Sequence, residues 1–134
     1  MGSKHKLSEL QLAILRVLWE QKEATVSEVH AALQDRGLAM TTVATLLSRL
    51  EKAGVLAHRS QGRQFIYRPM VSEPEVRRSM LADVTEMLFS GDVTAMVSQL
   101  LSARDVSADE LARVKALIEQ KENEARLNGE GDAR

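Results

Sequence analysis

Residues 41–54 have the sequence TTVATLLSRLEKAG, and this stretch predicts an amphipathic helix. Val43, Leu46, Leu47 and Leu50 follow the i, i+3, i+4, i+7 spacing of one buried stripe. Gly54 lies where a residue in the left-handed conformation can end a helix. We therefore expect this helix to pack one face against a hydrophobic core.

The opposite face has an unusual composition for a surface helix. Short hydroxyl and basic side chains replace most of the Glu, Lys and Gln that are common there, although threonine is a poor helix former. In a DNA major groove, hydroxyls bond phosphates or base edges, methyl groups contact thymine, and basic groups contact guanine or phosphate. The predicted DNA-binding residues of this helix are Thr41, Thr42, Thr45, Ser48, Arg49 and Lys52. The alternative is a surface helix whose threonines only cap its start.

Composition limits the class of protein. The chain has 134 residues, of which 44% are hydrophobic and 28% charged, as expected for one or two small globular units. It has no cysteine, which excludes disulfides, thiolate metal sites and cysteine catalysis, and fits a reducing cytoplasm. No run of about 18 apolar residues and no signal peptide is visible, so we expect a cytoplasmic protein without a membrane span.

The charge is distributed unevenly along the chain. Residues 1–70 contain 10 Lys and Arg against 6 Asp and Glu, whereas residues 71–134 contain 8 against 13. This asymmetry predicts a domain that binds a polyanion, followed by an interaction domain.

Two further helices are predicted before the quoted stretch. Ser8 with Gln11 and Thr25 with Glu28 each match a capping box, and Gly37 is placed to end the second helix. Three short helices with a polar face on the third predict a helix-turn-helix arrangement.

After Gly54 the pattern changes to strand, turn and strand. Residues 55–59 and 64–69 alternate as strands do, and residues 60–63 form a turn that contains glycine. A hairpin directly after the third helix is the wing of a winged helix. Arg59, Gln61 and Arg63 are predicted to contact the DNA backbone or minor groove. The alternative for this tip is an ordinary solvated turn.

Residues 71–127 predict three more helices. Ser72 with Glu75 and Ser107 with Glu110 match capping boxes, and Asp92 can cap the helix between them. These helices carry more apolar side chains than a unit of this size can bury alone, which favours an intertwined dimer over a monomeric bundle packed on the winged helix. The predicted dimerisation residues are Val76, Met80, Val84, Met87, Leu88, Met96, Val97, Leu100, Leu101, Leu111, Val114 and Ile118.

The predicted organisation is therefore mainly α with a small β-hairpin. A winged-helix domain covers residues 1–70, a helical dimerisation domain covers residues 71–127, and residues 128–134 form a disordered tail. No Gly-rich phosphate loop, metal-spaced cluster or Ser-His-Asp set stands out, so we expect no enzyme activity, cofactor or metal.

Several segments resemble the penicillinase-repressor family, whose members repress β-lactamase and methicillin-resistance operons and are related to copper-responsive repressors. The similar segments are LSELQ (7–11), VLW (17–19), TTVATLLSRL (41–50), KAGVL (52–56) and GRQFIYRP (62–69). The resemblance implies a homodimeric winged-helix repressor that binds palindromic promoter DNA and dimerises through its C-terminal helices.

The resemblance also implies a mode of induction. In the β-lactam branch, a membrane sensor with a zinc-protease domain triggers cleavage within the dimerisation domain, at an Asn-Phe pair. The matching pair here is Gln99-Leu100, which differs from that pattern. The cysteine-rich tail of the copper branch has no counterpart in a chain without cysteine. The rival interpretation is a winged-helix protein-interaction module that never binds DNA.

Overall fold

The structure is a computed structural model that describes residues 7–132, with side chains described as far as residue 129. Six α-helices and three strands follow one another along these residues. In chain order they are α1 (Glu9–Gln21), β1 (Ala24–Thr25), α2 (Val26–Ala32), α3 (Met40–Lys52), β2 (Leu56–Gln61), β3 (Gln64–Pro69), α4 (Glu73–Phe89), α5 (Val93–Ala103) and α6 (Ala108–Asp132). They form two compact units, divided between Gly91 and Asp92.

Three predicted capping boxes are confirmed. In each, the N-cap hydroxyl accepts from the backbone N–H of the third helical residue, whose side chain accepts in return from the N-cap N–H. The pairs are Ser8 with Gln11, Thr25 with Glu28 and Ser72 with Glu75. The other two predicted caps also bond: Asp92 Oδ1 accepts from Ala95 N, and Ser107 Oγ accepts from Glu110 N.

The second helix is shorter than the sequence predicts. The α-helix ends at Ala32, and a 3₁₀ turn (Gln34–Arg36) continues to Gly37. Gly37 then ends the segment at φ 66°, a conformation that glycine adopts without a Cβ clash. The tighter 3₁₀ bonds, such as Gly37 N to Gln34 O at 3.1 Å, satisfy carbonyls at the helix end.

The quoted helix begins one residue before Thr41. Ala39 is its N-cap and makes no side-chain bond, so Thr41 and Thr42 lie inside the first turn. No threonine is therefore the N-cap of this helix, and the role of its exposed face in DNA binding stays a prediction. At the other end, Gly54 adopts φ 84°, as its predicted role requires.

The sheet has three antiparallel strands in the order β1-β3-β2. The predicted hairpin is confirmed, with His58 opposite Tyr67 and Gln61 opposite Gln64. The sequence did not predict β1, which has two residues and pairs with Ile66 and Tyr67. Ile66 and Tyr67 point to opposite faces of the sheet, and both are buried, at 8% and 4% exposure, so both faces are covered at this point of β3.

The core of the first unit lies between α1, α2, α3 and the sheet. From α3 it receives Val43, Leu47 and Leu50, while Leu46 is half-buried at its edge. The other core residues are Ile14, Leu15, Val17, Leu18, Ala24, Val29, Val55, Leu56 and Tyr67. Trp19 packs against this core and donates its indole N–H to the Val71 carbonyl at 2.9 Å, which ties the start of α4 to α1.

The second unit consists of α5 and α6. Within residues 92–129 no side chain is buried. A pair of helices that buries none of its apolar side chains has no core of its own. The helix α6 runs to Asp132, so it overlaps the predicted tail, of which Ala133 and Arg134 lie outside the described residues. The predicted domain boundary at residue 70 stays a prediction.

Candidate nucleic-acid interface

The predicted DNA-binding face of α3 is fully open to solvent. Packing of Val43, Leu47 and Leu50 fixes the rotation of the helix, so the opposite side points away from the core. Each predicted residue on that side is exposed: Thr41, Thr42, Thr45, Ser48, Arg49 and Lys52. The fold therefore brings these side chains together on one surface.

The two cations of this face have no partner within the described residues. Arg49 and Lys52 lie in the last turn of α3, where the helix dipole favours positive charge. Neither forms an ion pair with any side chain that the structure describes. Both charges therefore stay available to an anion from outside the chain.

The wing residues are divided between two environments. Arg59 donates from Nε and Nη2 to the Glu23 carboxylate at 3.3 and 3.0 Å, and from Nη1 to Gln61 Oε1 at 3.4 Å. The hydrogen bonds lower the pKa of Glu23 and raise that of Arg59. Arg63, at the turn beside Gly62, is exposed and has no ion pair in the described part of the chain.

A groove of about 450 Å³ joins α3 to the wing. Ser48 lines it from α3 and Arg63 from the wing, so two predicted residues that are 15 positions apart face the same space. Its other lining residues are Thr25, Val26, Ser27, Ala44, Gln64, Phe65 and Tyr67. The groove can accept a polyanion that runs between α3 and the hairpin.

Three exposed groups of this groove are not among the predicted DNA-binding residues. Ser27 contributes a hydroxyl from the first turn of α2, and Gln64 and Phe65 follow Arg63 on β3. Their proximity to Ser48 depends on tertiary packing. Only Ser27 had a signal in the sequence, namely its position in the helix-turn-helix, because the helix before the third also runs close to the DNA backbone in such motifs.

Tyr67 forms the floor of the groove. Burial raises the pKa of its phenol, and the negative charge of Glu51 adds to the increase.

Among the residues the structure describes, no group of three or more His, Asp or Glu side chains could hold a metal ion. His30 is half-buried, with its Nε2 atom 2.8 Å from the Leu38 carbonyl oxygen.

The predicted dimerisation residues of α4 differ in exposure. Val76 is 1% exposed and therefore belongs to the core of its own chain rather than to an accessible dimer surface, because the start of α4 is tied to α1. Met80 and Val84 are half-buried, while Met87 and Leu88 are 64% and 68% exposed.

The predicted dimerisation residues of the second unit are all accessible. On α5, Met96 is half-buried, and Val97, Leu100 and Leu101 are exposed. On α6, Val114 is half-buried, and Leu111 and Ile118 are exposed. Gln99 and Leu100, the predicted cleavage pair, are both exposed inside the helix α5.

No helix within residues 7–132 combines the length and apolar character that crossing a membrane would require.

Several known proteins are similar to this chain. The family model described as penicillinase repressor matches residues 7–120. The penicillinase repressor of Bacillus licheniformis is 25% identical over 119 residues, which cover 88% of this chain and 93% of that protein. Transcriptional regulator BlaI of Mycobacterium tuberculosis is 34% identical over 85 residues, covering 62% of each chain. The solved structure of monomeric Bacillus licheniformis BlaI in complex with the blaP half-operator is 30% identical, with a TM-score of 0.48; the match covers 56% of this chain and 93% of that one.

Proposed function

Because this chain belongs to the penicillinase repressor family, we propose that it is a transcriptional repressor that binds promoter DNA as a homodimer. The observation that carries the proposal is the exposed face of α3 with its hydroxyl and basic groups, of which Ser48 shares a groove with the free cation of Arg63. Its site of action is the cytoplasm, where bacterial promoter DNA is found.

The contacts divide by chemistry. Thr41, Thr42, Thr45 and Ser48 are short enough to let α3 approach the floor of a major groove, where they select sequence. Arg49, Lys52, Arg63 and, once released from Glu23, Arg59 neutralise phosphates, while Gln61 adds a neutral donor at the wing. Affinity is then mainly electrostatic and falls as salt rises.

The dimer is supported by the second unit. Side chains such as Leu100, Leu101 and Ile118 remain 40–54% exposed in one protomer, and a second copy supplies the missing cover. Two winged helices related by a two-fold axis match the two halves of a palindromic operator.

Salt titration tests the DNA-binding part. A labelled fragment of the protein's own promoter is titrated with protein at increasing salt, and the affinity should fall with a slope of about −0.9 per phosphate contact. Thr45→Ala should change the preference among operator sequences, whereas Arg63→Ala should weaken binding to all of them. A flat salt response would overturn the proposal, and failure to shift any promoter fragment at low salt would favour the protein-interaction module.

Sedimentation equilibrium tests the dimer. Leu101→Glu places a charge on the exposed apolar surface of α5 and should shift the protein to monomers. Gln21→Glu, which adds the same charge at the exposed end of α1, should leave the dimer intact. A wild-type protein that is monomeric at micromolar concentration would contradict the dimer. DNA binding by single chains could still be measured in that case.

Induction by proteolysis is the second part of the proposal. The Gln99-Leu100 bond is exposed, but it lies inside α5, so a protease must first open that helix locally. A membrane sensor protease, or a protease downstream of it, is the proposed partner. Cutting α5 would weaken the dimer and remove the gain from binding two half-sites together. Incubation with a lysate of induced cells should release fragments that end between Met96 and Leu101; relief of repression without them would contradict this mode of induction.

A further inference from the structure

Three side chains from different elements meet between α3 and the wing. The Nδ1 atom of His58, on β2, lies 2.8 and 2.7 Å from the two carboxylate oxygens of Glu51, near the end of α3. The imidazole ring of His58 stacks on the ring of Phe65, on β3, with centroids 3.9 Å apart and planes 18° from parallel. We call Glu51, His58 and Phe65 the wing brace, because they connect both strands of the hairpin to α3.

The chemistry of the brace favours a fixed geometry. A carboxylate only accepts hydrogen bonds, so His58 donates from Nδ1 and its ring orientation is set. The side chains of His58 and Glu51 are 27% and 32% exposed, which shields their contact from water more than an ordinary surface pair. Tyr67 packs beside this stack, with its ring centroid 5.6 Å from that of His58 and 6.3 Å from that of Phe65.

The end of the wing depends on this support. The short strand β1 pairs only with Ile66 and Tyr67 of β3, so the sheet has just two strands, β2 and β3, from Phe65 to the hairpin tip. Isolated two-stranded ribbons are marginally stable in water. Phe65 lines the groove that Ser48 and Arg63 share, and lies two residues from Arg63. If Phe65 loses its support, this end of the hairpin can move, and Arg63 then moves relative to α3.

We propose that the wing brace positions the wing for DNA binding. Glu51, His58 and Phe65 hold the tip at the distance from α3 at which Arg63 and Ser48 engage one DNA segment together. The proposal rests on the proposed function. It makes these three side chains positioning residues, which act through Arg63 rather than through DNA contacts of their own.

A double-mutant cycle tests this role. Affinity for the promoter fragment is measured for the wild type, His58→Ala, Arg63→Ala and the double variant. If the brace positions Arg63, replacing Arg63 should lower the affinity only a little further in a protein that already lacks the brace. The product of the fold losses in affinity of the two single variants should then exceed the fold loss of the double variant by about threefold or more. Losses that simply multiply would overturn the proposal.

A matched cycle uses Thr41, at the far end of α3 from the brace. His58→Ala and Thr41→Ala should multiply to within about twofold, as distant independent sites do. The same cycle is then measured for Arg63→Ala with His58→Ala in two further backgrounds. Glu51→Gln keeps a hydrogen-bond acceptor for His58 and should preserve the coupling between His58 and Arg63, whereas Glu51→Ala removes the acceptor and should abolish that coupling. Equal loss of coupling in both Glu51 variants would show that charge, rather than position, is responsible and would overturn the proposal.

Hydrogen exchange of the free protein separates the brace from the proposed function. In His58→Ala, amides 59–65 should exchange faster while those of α1 are unchanged, because only the wing loses its support. Unchanged exchange in the wing would overturn the proposal, and exchange that rises everywhere would do so too, since it would indicate a general loss of stability. If the wild type binds no promoter DNA, the proposed function fails, and the exchange measurement still decides whether the brace holds the wing.

Discussion

Arg63→Ala should make DNA binding distinctly less dependent on salt. Arg63 is exposed, lies beside Ser48 in the groove and has no ion pair with any side chain of residues 7–129. One phosphate contact per wing, or two per dimer, contributes about 1.8 to the slope of log affinity against log salt. Between about 50 and 200 mM salt, that slope corresponds to a factor of about 12. Wild-type affinity should therefore fall about 12-fold more than that of the variant over this range.

Fluorescence anisotropy with a labelled promoter fragment measures both slopes. Arg104→Ala removes the same charge from the exposed connection between α5 and α6, and should leave the slope unchanged. Thermal unfolding followed by circular dichroism checks that both variants are folded at the assay temperature. An unchanged slope for Arg63→Ala, or an equal change for Arg104→Ala, would refute the reasoning that local contact rather than net charge governs the salt response.

Three further predictions follow from the first unit. Glu23→Gln should release Arg59 for a phosphate and steepen the salt slope by about 1.8 per dimer, in the same anisotropy assay; an unchanged slope would mean that Arg59 does not reach DNA. Leu47→Ala should lower the free energy of unfolding by about 2–5 kcal/mol in urea titrations, because Leu47 is fully buried, whereas Met70→Ala, at an exposed position, should change it little. Because burial raises the pKa of Tyr67 in the folded state, the stability it contributes is present below pH 10.0 and is lost as pH rises through the higher folded value. Tyr67→Phe should therefore flatten the alkaline decline in urea-unfolding free energy; an identical decline would contradict this assignment.

Local patterns predicted most of the fold. Capping boxes at Ser8, Thr25 and Ser72 join residues three positions apart, and the helical stripe of α3 repeats within two turns, so both are visible in a short window. The two-residue strand β1 was missed because Thr25 also caps α2, and its pairing with Ile66 depends on residues 41 positions away.

The candidate site was predicted in part. The exposed face of α3 follows from its periodicity, and the structure brings Ser48 and Arg63 to one groove. The ion pair between Glu23 and Arg59 and the contact between Glu51 and His58 could not be predicted, because each joins elements whose distance is set only by folding. Arg59 and Arg63, the two wing arginines predicted to bind DNA, look equivalent in the sequence, yet Arg59 is paired with Glu23 and Arg63 is free of any described ion pair.

The absence of a buried side chain in residues 92–129 has a consequence for dosage. If this unit gains its core only by pairing, the amount of active repressor rises with the square of the chain concentration while chains are scarce, by mass action. Halving the supply of intact chains would then remove about three quarters of the active pairs. A cut in one chain would also deprive its intact companion of a folding partner. A low protease activity that cuts only part of the chains could thus produce a proportionally larger change in gene expression.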